Sequence, residues 1–152
     1  MSKRILMVCL GNICRSPLAH GIMEVISPIS FVDSAGTGSY HIGSPPDPRS
    51  IQVAQDNGID IRHQSARKFQ STDFMEFDHI FVMDRQNYKD VIAKANNQND
   101  IAKVELLCEA AGMGMRHVPD PYYGAKKEFE EVFILVKTAC QRIVKQWKEI
   151  DE

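Results

Sequence analysis

The chain has 152 residues, 43% hydrophobic and 25% charged, with 18 Lys and Arg against 20 Asp and Glu for a formal charge of -2. These are ordinary values for one globular domain, and with no block of like charges they argue against a broad nucleic-acid or anionic-membrane surface. A chain this long buries about 68 to 70% of the surface its unfolded form exposes, so it needs no disulfide or metal staple, and its cysteines are free for chemistry. The apolar run Ile5 to Leu10 is far shorter than the roughly 20 residues of a membrane helix, and Asn12 and Arg15 close it without a small-residue cleavage site. The expectation is one domain over residues 1–152, soluble and cytoplasmic, with no nucleic-acid or membrane partner.

In chain order, β-type runs alternate with segments of helical period. Arg4 to Val8, Phe31 to Val32, His79 to Met83 and Val104 to Leu107 read as strands. Between the first two, Leu18, Ile22 and Val25/Ile26 keep a 3.6-residue spacing after Pro17, which suits a first helical turn. Residues Gly36 to Pro48 are dense in turn formers and read as one long surface loop. Ile51 to Asn57 is a shorter helix candidate closed by Gly58. The last helix is the clearest: Phe129, Val132, Phe133, Val136, Cys140, Ile143, Trp147 and Ile150 form one apolar stripe that should cover the sheet. This order predicts an α/β fold with a parallel sheet, and such sheets bind ligands beyond the C-terminal ends of their strands.

The first strand runs into Cys9, and residues 8–17 read VCLGNICRSP. A cysteine, five intervening residues, then Arg15 and Ser16 before a proline-started helix would arise by chance about 0.02 times in a chain of this composition. The physics is coherent. A short loop entering a helix turns several N–H groups inward, and the helix dipole adds partial positive charge, so residues Leu10 to Ser16 can cradle a tetrahedral anion. Arg15 completes the cradle with a guanidinium fork that holds two phosphate oxygens, where lysine would offer a point charge. Helix N-termini and neighbouring arginines also favour the thiolate form of a cysteine, which makes Cys9 a nucleophile aimed at a bound phosphorus. Ser16 can donate a hydrogen bond to that sulfur. A free cysteine at a strand end is otherwise a small buried hydrophobe, a reading that Arg15 and Ser16 at these offsets displace. An alkoxide or phenoxide leaving group still needs a proton, and the best donor is Asp120 in VPDPYYG, stiffened by two prolines and flanked by tyrosines. By itself Asp-Pro also reads as a plain turn.

Together, VCLGNICRSP and DPYYG closely resemble the low-molecular-weight protein tyrosine phosphatases, with Asp33 to Thr37, Ser44 to Arg49, His63 with Ala66-Arg67, and Phe81 to Asp84 as intermediate landmarks. The resemblance runs nearly end to end. It implies a three-layer fold with a four-stranded parallel sheet flanked by helices and the phosphate-binding loop after the first strand, no metal or cofactor, and hydrolysis of phosphotyrosine and small aryl phosphates through a phosphocysteine. Carried over by position, Cys9 is the nucleophile, Arg15 binds phosphate, and Asp120 is the acid and later the base. The cradle comprises Leu10, Gly11, Asn12, Ile13, Cys14, Arg15 and Ser16. Asn12, tolerant of positive φ, is implied to hold the loop through hydrogen bonds reaching Ser34 and His63. Tyr40, Tyr122 and Tyr123 are implied to line the cleft, with Leu10 and Ile13 at its floor or rim. Cys14 is either a redox partner that captures oxidised Cys9 or a packed cysteine on the first helical turn, while Cys108 and Cys140 read as core. Phosphotyrosine proteins are the implied partners, and the chain is expected to be a monomer or at most a weak dimer.

Three other readings compete. Thioredoxin-coupled arsenate reductases begin with a similar loop but need further cysteines in mid-chain, and residues 60–100 contain none. A branch that removes phosphate from arginine typically carries threonine at the position of Ile13. A non-catalytic phosphate-binding module would have no need of Cys9 or Asp120. For metal hydrolases there is neither H-E-x-x-H nor C-x-x-C, and His20, His41, His63, His79 and His117 are scattered.

Overall fold

The computed structural model describes residues 2–151. Four strands, β1 (Arg4–Cys9), β2 (Phe31–Gly36), β3 (His79–Val82) and β4 (Val104–Leu106), form one parallel sheet in the order β2-β1-β3-β4. Seven helices join them: α1 (Arg15–Ile26), α2 (Pro48–Asp56), α3 (Asp73–Glu76), α4 (Arg85–Ile92), α5 (Gln98–Ala102), α6 (Leu107–Ala110) and α7 (Lys126–Asp151).

From Ile5 to Cys9 the first strand is apolar without interruption and buried on both faces. Ile5, Met7 and Cys9 point into a core shared with α1, α2, α6 and α7. Leu6 and Val8 point the other way, against Phe69, Phe74, Phe77 and Val91. Strand β3 alternates in the same sense, with Phe81 facing the first core and Ile80 and Val82 the second. Helices on both faces of the sheet make three layers. The chain leaves β1 toward β2 on one side and returns to β3 on the other, so the loops at the C-terminal ends of these strands diverge and open a cleft.

The structure revises several boundaries. Strand β2 extends past Val32 to Gly36, because its polar residues are paired: Asp33 bonds Arg67 and buried Ser34 bonds His20. Helix α2 begins at Pro48, capped by Asp47, which accepts a bond from the Arg49 N–H. Residues Arg15 to Met23 of α1 are buried all round, between sheet and α7, whereas Val25 of the expected stripe is exposed. The α7 stripe ends before Ile150, which is also exposed. The short helices α3, α5 and α6 carry little apolar periodicity, whereas α4, absent from the expected elements, has Tyr88, Val91 and Ile92 at helical spacing against the second core. Residues 37–47 do more than cross the surface: the N–H groups of Thr37, Gly38 and Asp47 donate to the carbonyls of Cys9, Leu10 and Ile13 and buttress the loop after β1.

Candidate active site

That loop is interior despite its irregular backbone. Cys9, Asn12, Ile13, Cys14, Arg15 and Ser16 are all buried. Its shape is forced by two features. Asn12 has φ 55, the left-handed region that few residues other than glycine occupy. Gly36 at the end of β2 lets the loop approach closely, since a Cβ there would stand 2.7 Å from the Leu10 carbonyl oxygen. The Asn12 side chain fastens the loop from within: its Nδ2 donates to Ser16 Oγ at 2.8 Å, and its Oδ1 accepts from the Arg67 N–H at 3.1 Å. Arg67 is itself locked by bonds to Asp33 and to both oxygens of Asp73. Among the described residues, the N–H groups of Gly11, Asn12, Ile13 and Cys14 have no protein acceptor, which leaves them available to an anion at the N-terminus of α1.

Around this cradle the reactive side chains converge. Cys9 Sγ lies 3.0 Å from Ser16 Oγ. The Arg15 guanidinium is anchored on one nitrogen, Nη1, which donates to Asp84 Oδ2 at 2.7 Å and to the Val118 carbonyl at 3.1 Å. Its other nitrogen, Nη2, stands 3.7 Å from Asp120 Oδ2. Burial alone would lower the Arg15 pKa, but the charges of Cys9, Asp84 and Asp120 outweigh it and hold the pKa above the ordinary arginine value. Burial would likewise raise Asp84, yet its bonds from Arg15 and the Asn87 N–H hold its carboxyl below the usual range. Burial, with Asp47 and Cys9 nearby, pushes the Cys14 thiol up to about 12. Cys108 and Cys140 are buried in the core, with Cys140 on the inner stripe of α7.

Cys9, Leu10, Gly11, Ile13, Cys14, Arg15 and Asp120 line one cleft of about 450 Å³, walled by Tyr40, Tyr122 and Tyr123. Tyr122 and Tyr123 meet edge to face at 4.9 Å. Asp120 is exposed and accepts from the Tyr122 N–H at 3.1 Å.

Two expectations for the supporting residues are corrected. Among the described residues no hydrogen bond joins Asn12 to Ser34 or to His63. Ser34 instead lies 2.9 Å from His20 Nδ1 of α1. His63 faces solvent, and its neighbour Gln64 turns inward to donate to the Pro17 carbonyl. Which side chains Asn12 and Ser34 meet is set by how β2 and α1 pack, which position within the resemblance does not fix. Sequence reasoning also misses Asp84, His41 and Arg49. The D-x-x-N pattern of Asp84 and Asn87, a reciprocal helix cap, is a signal for the first. His41 lines the cleft beside Tyr122, with ring centroids 6.5 Å apart.

Sheet order, strand-end loop and anchored arginine define the class as an α/β fold that presents a cysteine at the floor of an anion cradle. The comparisons narrow that class. The family model for low molecular weight phosphotyrosine protein phosphatase matches residues 4–152. A low molecular weight phosphotyrosine protein phosphatase of Schizosaccharomyces pombe is 39% identical over 150 residues, covering 93% of this chain and 95% of that protein. Among solved structures, a protein tyrosine phosphatase of Entamoeba histolytica superposes with TM-score 0.89 at 34% identity over 99% of both chains. Vibrio vulnificus Wzb in complex with benzylphosphonate superposes with TM-score 0.88 at 30% identity, covering 95% of this chain and 98% of that one. The chain belongs to the low molecular weight phosphotyrosine protein phosphatases, hydrolases of phosphate monoesters.

Proposed function

We propose that the chain acts as a single catalytic domain that hydrolyses phosphotyrosine in proteins, and small aryl phosphates, through a cysteinyl-phosphate intermediate. The observation that carries this reading is the convergence of Cys9, Arg15 and Asp120 on one tyrosine-walled cleft. The amides of the cradle and Arg15 hold the phosphoryl oxygens, and Cys9 Sγ attacks phosphorus from the floor. As the P–O bond breaks, Asp120 gives its proton to the leaving phenolate oxygen. The Asp120 carboxylate then takes a proton from a water that attacks the same phosphorus, and the sulfur leaves as a thiolate held by the Ser16 hydroxyl. Aromatic walls suit a phenyl ring, and the benzylphosphonate bound by the Vibrio relative likewise carries a phenyl ring next to a phosphorus oxyanion. Cys14 serves as the redox partner in this reading. When peroxide converts the Cys9 thiolate to a sulfenic acid, one of the charges that keeps Cys14 protonated is removed. Attack by the Cys14 sulfur then forms a disulfide and releases water.

The test is hydrolysis of para-nitrophenyl phosphate in EDTA, with and without vanadate. Turnover should resist EDTA, fall to vanadate, and drop by more than about 10³-fold in Cys9→Ser, which keeps the cradle. Asp120→Ala should lose about 10² to 10⁴-fold on phenyl phosphate and much less on activated esters. Wild-type-like rates in Cys9→Ser refute the covalent route.

A further inference from the structure

We propose that Arg49 is a positioning residue for proton donation, clamping the segment that carries Asp120 to the first turn of α2. The inference rests on the reading of Asp120 as the acid.

The first turn of α2 is fastened to the cradle at two carbonyls. The Asp47 N–H donates to Ile13 O at 2.8 Å, and the buried Ser50 hydroxyl donates to Cys14 O at 3.2 Å. From this platform Arg49 reaches across to the acid segment. Its Nε and Nη2 bind the two carboxylate oxygens of Asp47 at 3.0 and 2.9 Å, and its Nη1 donates to Gly124 O at 3.1 Å. The guanidinium carbon also lies 5.6 Å from the Tyr122 ring centroid and 4.5 Å from that of Phe129 in α7. One side chain therefore joins the cradle platform, the acid segment and the start of the longest helix.

The acid segment needs such a hold. Asp120 is exposed; its hydrogen bond, from the Tyr122 N–H, comes from within the same segment, and the Arg15 guanidinium is 3.7 Å away, an ion pair without a hydrogen bond. Upstream the segment is tied by the Val118 N–H, which donates to Met83 O at 2.8 Å, and by the Val118 carbonyl, which accepts from Arg15. Downstream the tie is Arg49 on Gly124. Arginine fits the task because its planar fork can bind a carboxylate with one edge, a carbonyl with another and aromatic rings with its face, which an ammonium cannot do. Burial opposes ionisation of Asp47, but the Arg49 bonds prevail and hold its carboxyl below the usual range, so the clamp stays charged at neutral pH.

A clamp of this kind acts only where the proton is needed. A displacement of about 1 Å at a catalytic group costs on the order of 10²-fold, while the cradle is held by other bonds. Arg49→Gln should lower kcat/KM on phenyl phosphate by about 10- to 30-fold, and by less than about threefold on esters of strongly acidic phenols. The Kd for vanadate should stay within about twofold of wild type. Asp47→Asn keeps the helix cap and discharges the clamp, so it should steepen the leaving-group dependence in the same direction and reads the proposal even where Arg49→Gln folds poorly. In the Asp120→Ala background, Arg49→Gln should add no further leaving-group dependence, because it works through the missing acid. Equal losses across the ester series, or additive steepening in the double variant, overturn the clamp. If Asp120→Ala alone leaves the leaving-group dependence unchanged, the acid assignment fails and the clamp with it. If Asp120→Ala steepens it and neither Arg49→Gln nor Asp47→Asn does, the acid stands and only the clamp fails.

Discussion

Removing the carboxylate of Asp84 should destabilise the protein through two separable effects. Its Oδ2 accepts a 2.7 Å bond from Arg15, whose side chain is 3% exposed against 24% for Asp84. Stripping the partner from a buried charge costs about 3 to 5 kcal/mol, and the low end applies because the Val118 carbonyl and Asp120 remain near Arg15. Its Oδ1 caps α4 by accepting from the Asn87 N–H at 2.8 Å, which is worth about 1 kcal/mol. Asp84→Ala should therefore cost about 4 kcal/mol, or a fall in Tm of roughly 8 to 16 °C at this chain length. Asp84→Asn has one acceptor oxygen where Asp84 uses two, so it keeps the α4 cap or the acceptor for Arg15 but not both, and its cost should be about 2 to 3 kcal/mol. Urea unfolding followed by circular dichroism measures both. Phosphate stabilises wild type and variant alike, by about 2.7 kcal/mol at 100 times each protein's own Kd, so it narrows the Ala deficit only as far as it binds the variant more tightly. The pH dependence has a definite sign. Asp84 is depressed in the fold, so its contribution is full above the unfolded value near about 3.9 and is lost as pH falls through the lower folded value. The gap between wild type and Asp84→Asn should close below about pH 4. A cost for Asp84→Ala below about 1 kcal/mol, or one equal to that of Asn, refutes the buried-charge argument.

Two further predictions test the supporting network. At Asn12, with φ 55, Ala should be less stable than Gly by about 1 kcal/mol, because both lose the bonds to Ser16 and Arg67 but only Ala is strained in the left-handed region. Equal denaturation midpoints for the two variants count against strain there. His20 is held below the ordinary histidine pKa by burial, with His63 acting in the same direction and Glu24 and Asp33 opposing. The unfolded chain therefore takes up the proton first, and stability should fall as pH drops below about 6.5 until the folded value is passed. His20→Asn should flatten that slope in urea titrations between pH 7 and 5, and an unchanged slope refutes the assignment.

Cys9, Arg15 and Ser16 are legible in the sequence because they fall within eight consecutive residues, where the strand, the turn and the helix start each leave a local mark. The α/β order is legible for the same reason, as is α7 up to Trp147. What holds the reactive residues is not local. Arg15 depends on Asp84 at the end of β3, Asn12 on the Arg67 backbone, and Ser34 on His20 rather than on Asn12. Each of these pairs spans 14 to 69 residues and forms only when the sheet and α1 are packed. Strand β2 is misjudged on the same ground, because a strand whose buried polar residues are bonded by side chains loses the apolar alternation by which strands are read.

The balance of charge at the site explains how a chain with a formal charge of -2 can hold a phosphate. Arg15 does not create a strongly cationic cleft, since the carboxylates of Asp84 and Asp120 stand within 4 Å of its guanidinium and Cys9 adds to the field around it. Arg49 at the rim is matched by Asp47. Long-range attraction of polyanions is therefore weak, and what distinguishes a phosphate monoester is short-range and directional: unpaired amides at a helix start and one fork whose Nη1 is already committed to Asp84 and Val118. That commitment sets the fork's orientation before substrate arrives, so the Nη2 edge toward Asp120 needs no reorganisation when the phosphoryl group enters. The acidic partners that weaken the cleft as a magnet for anions are the same ones that orient its arginine.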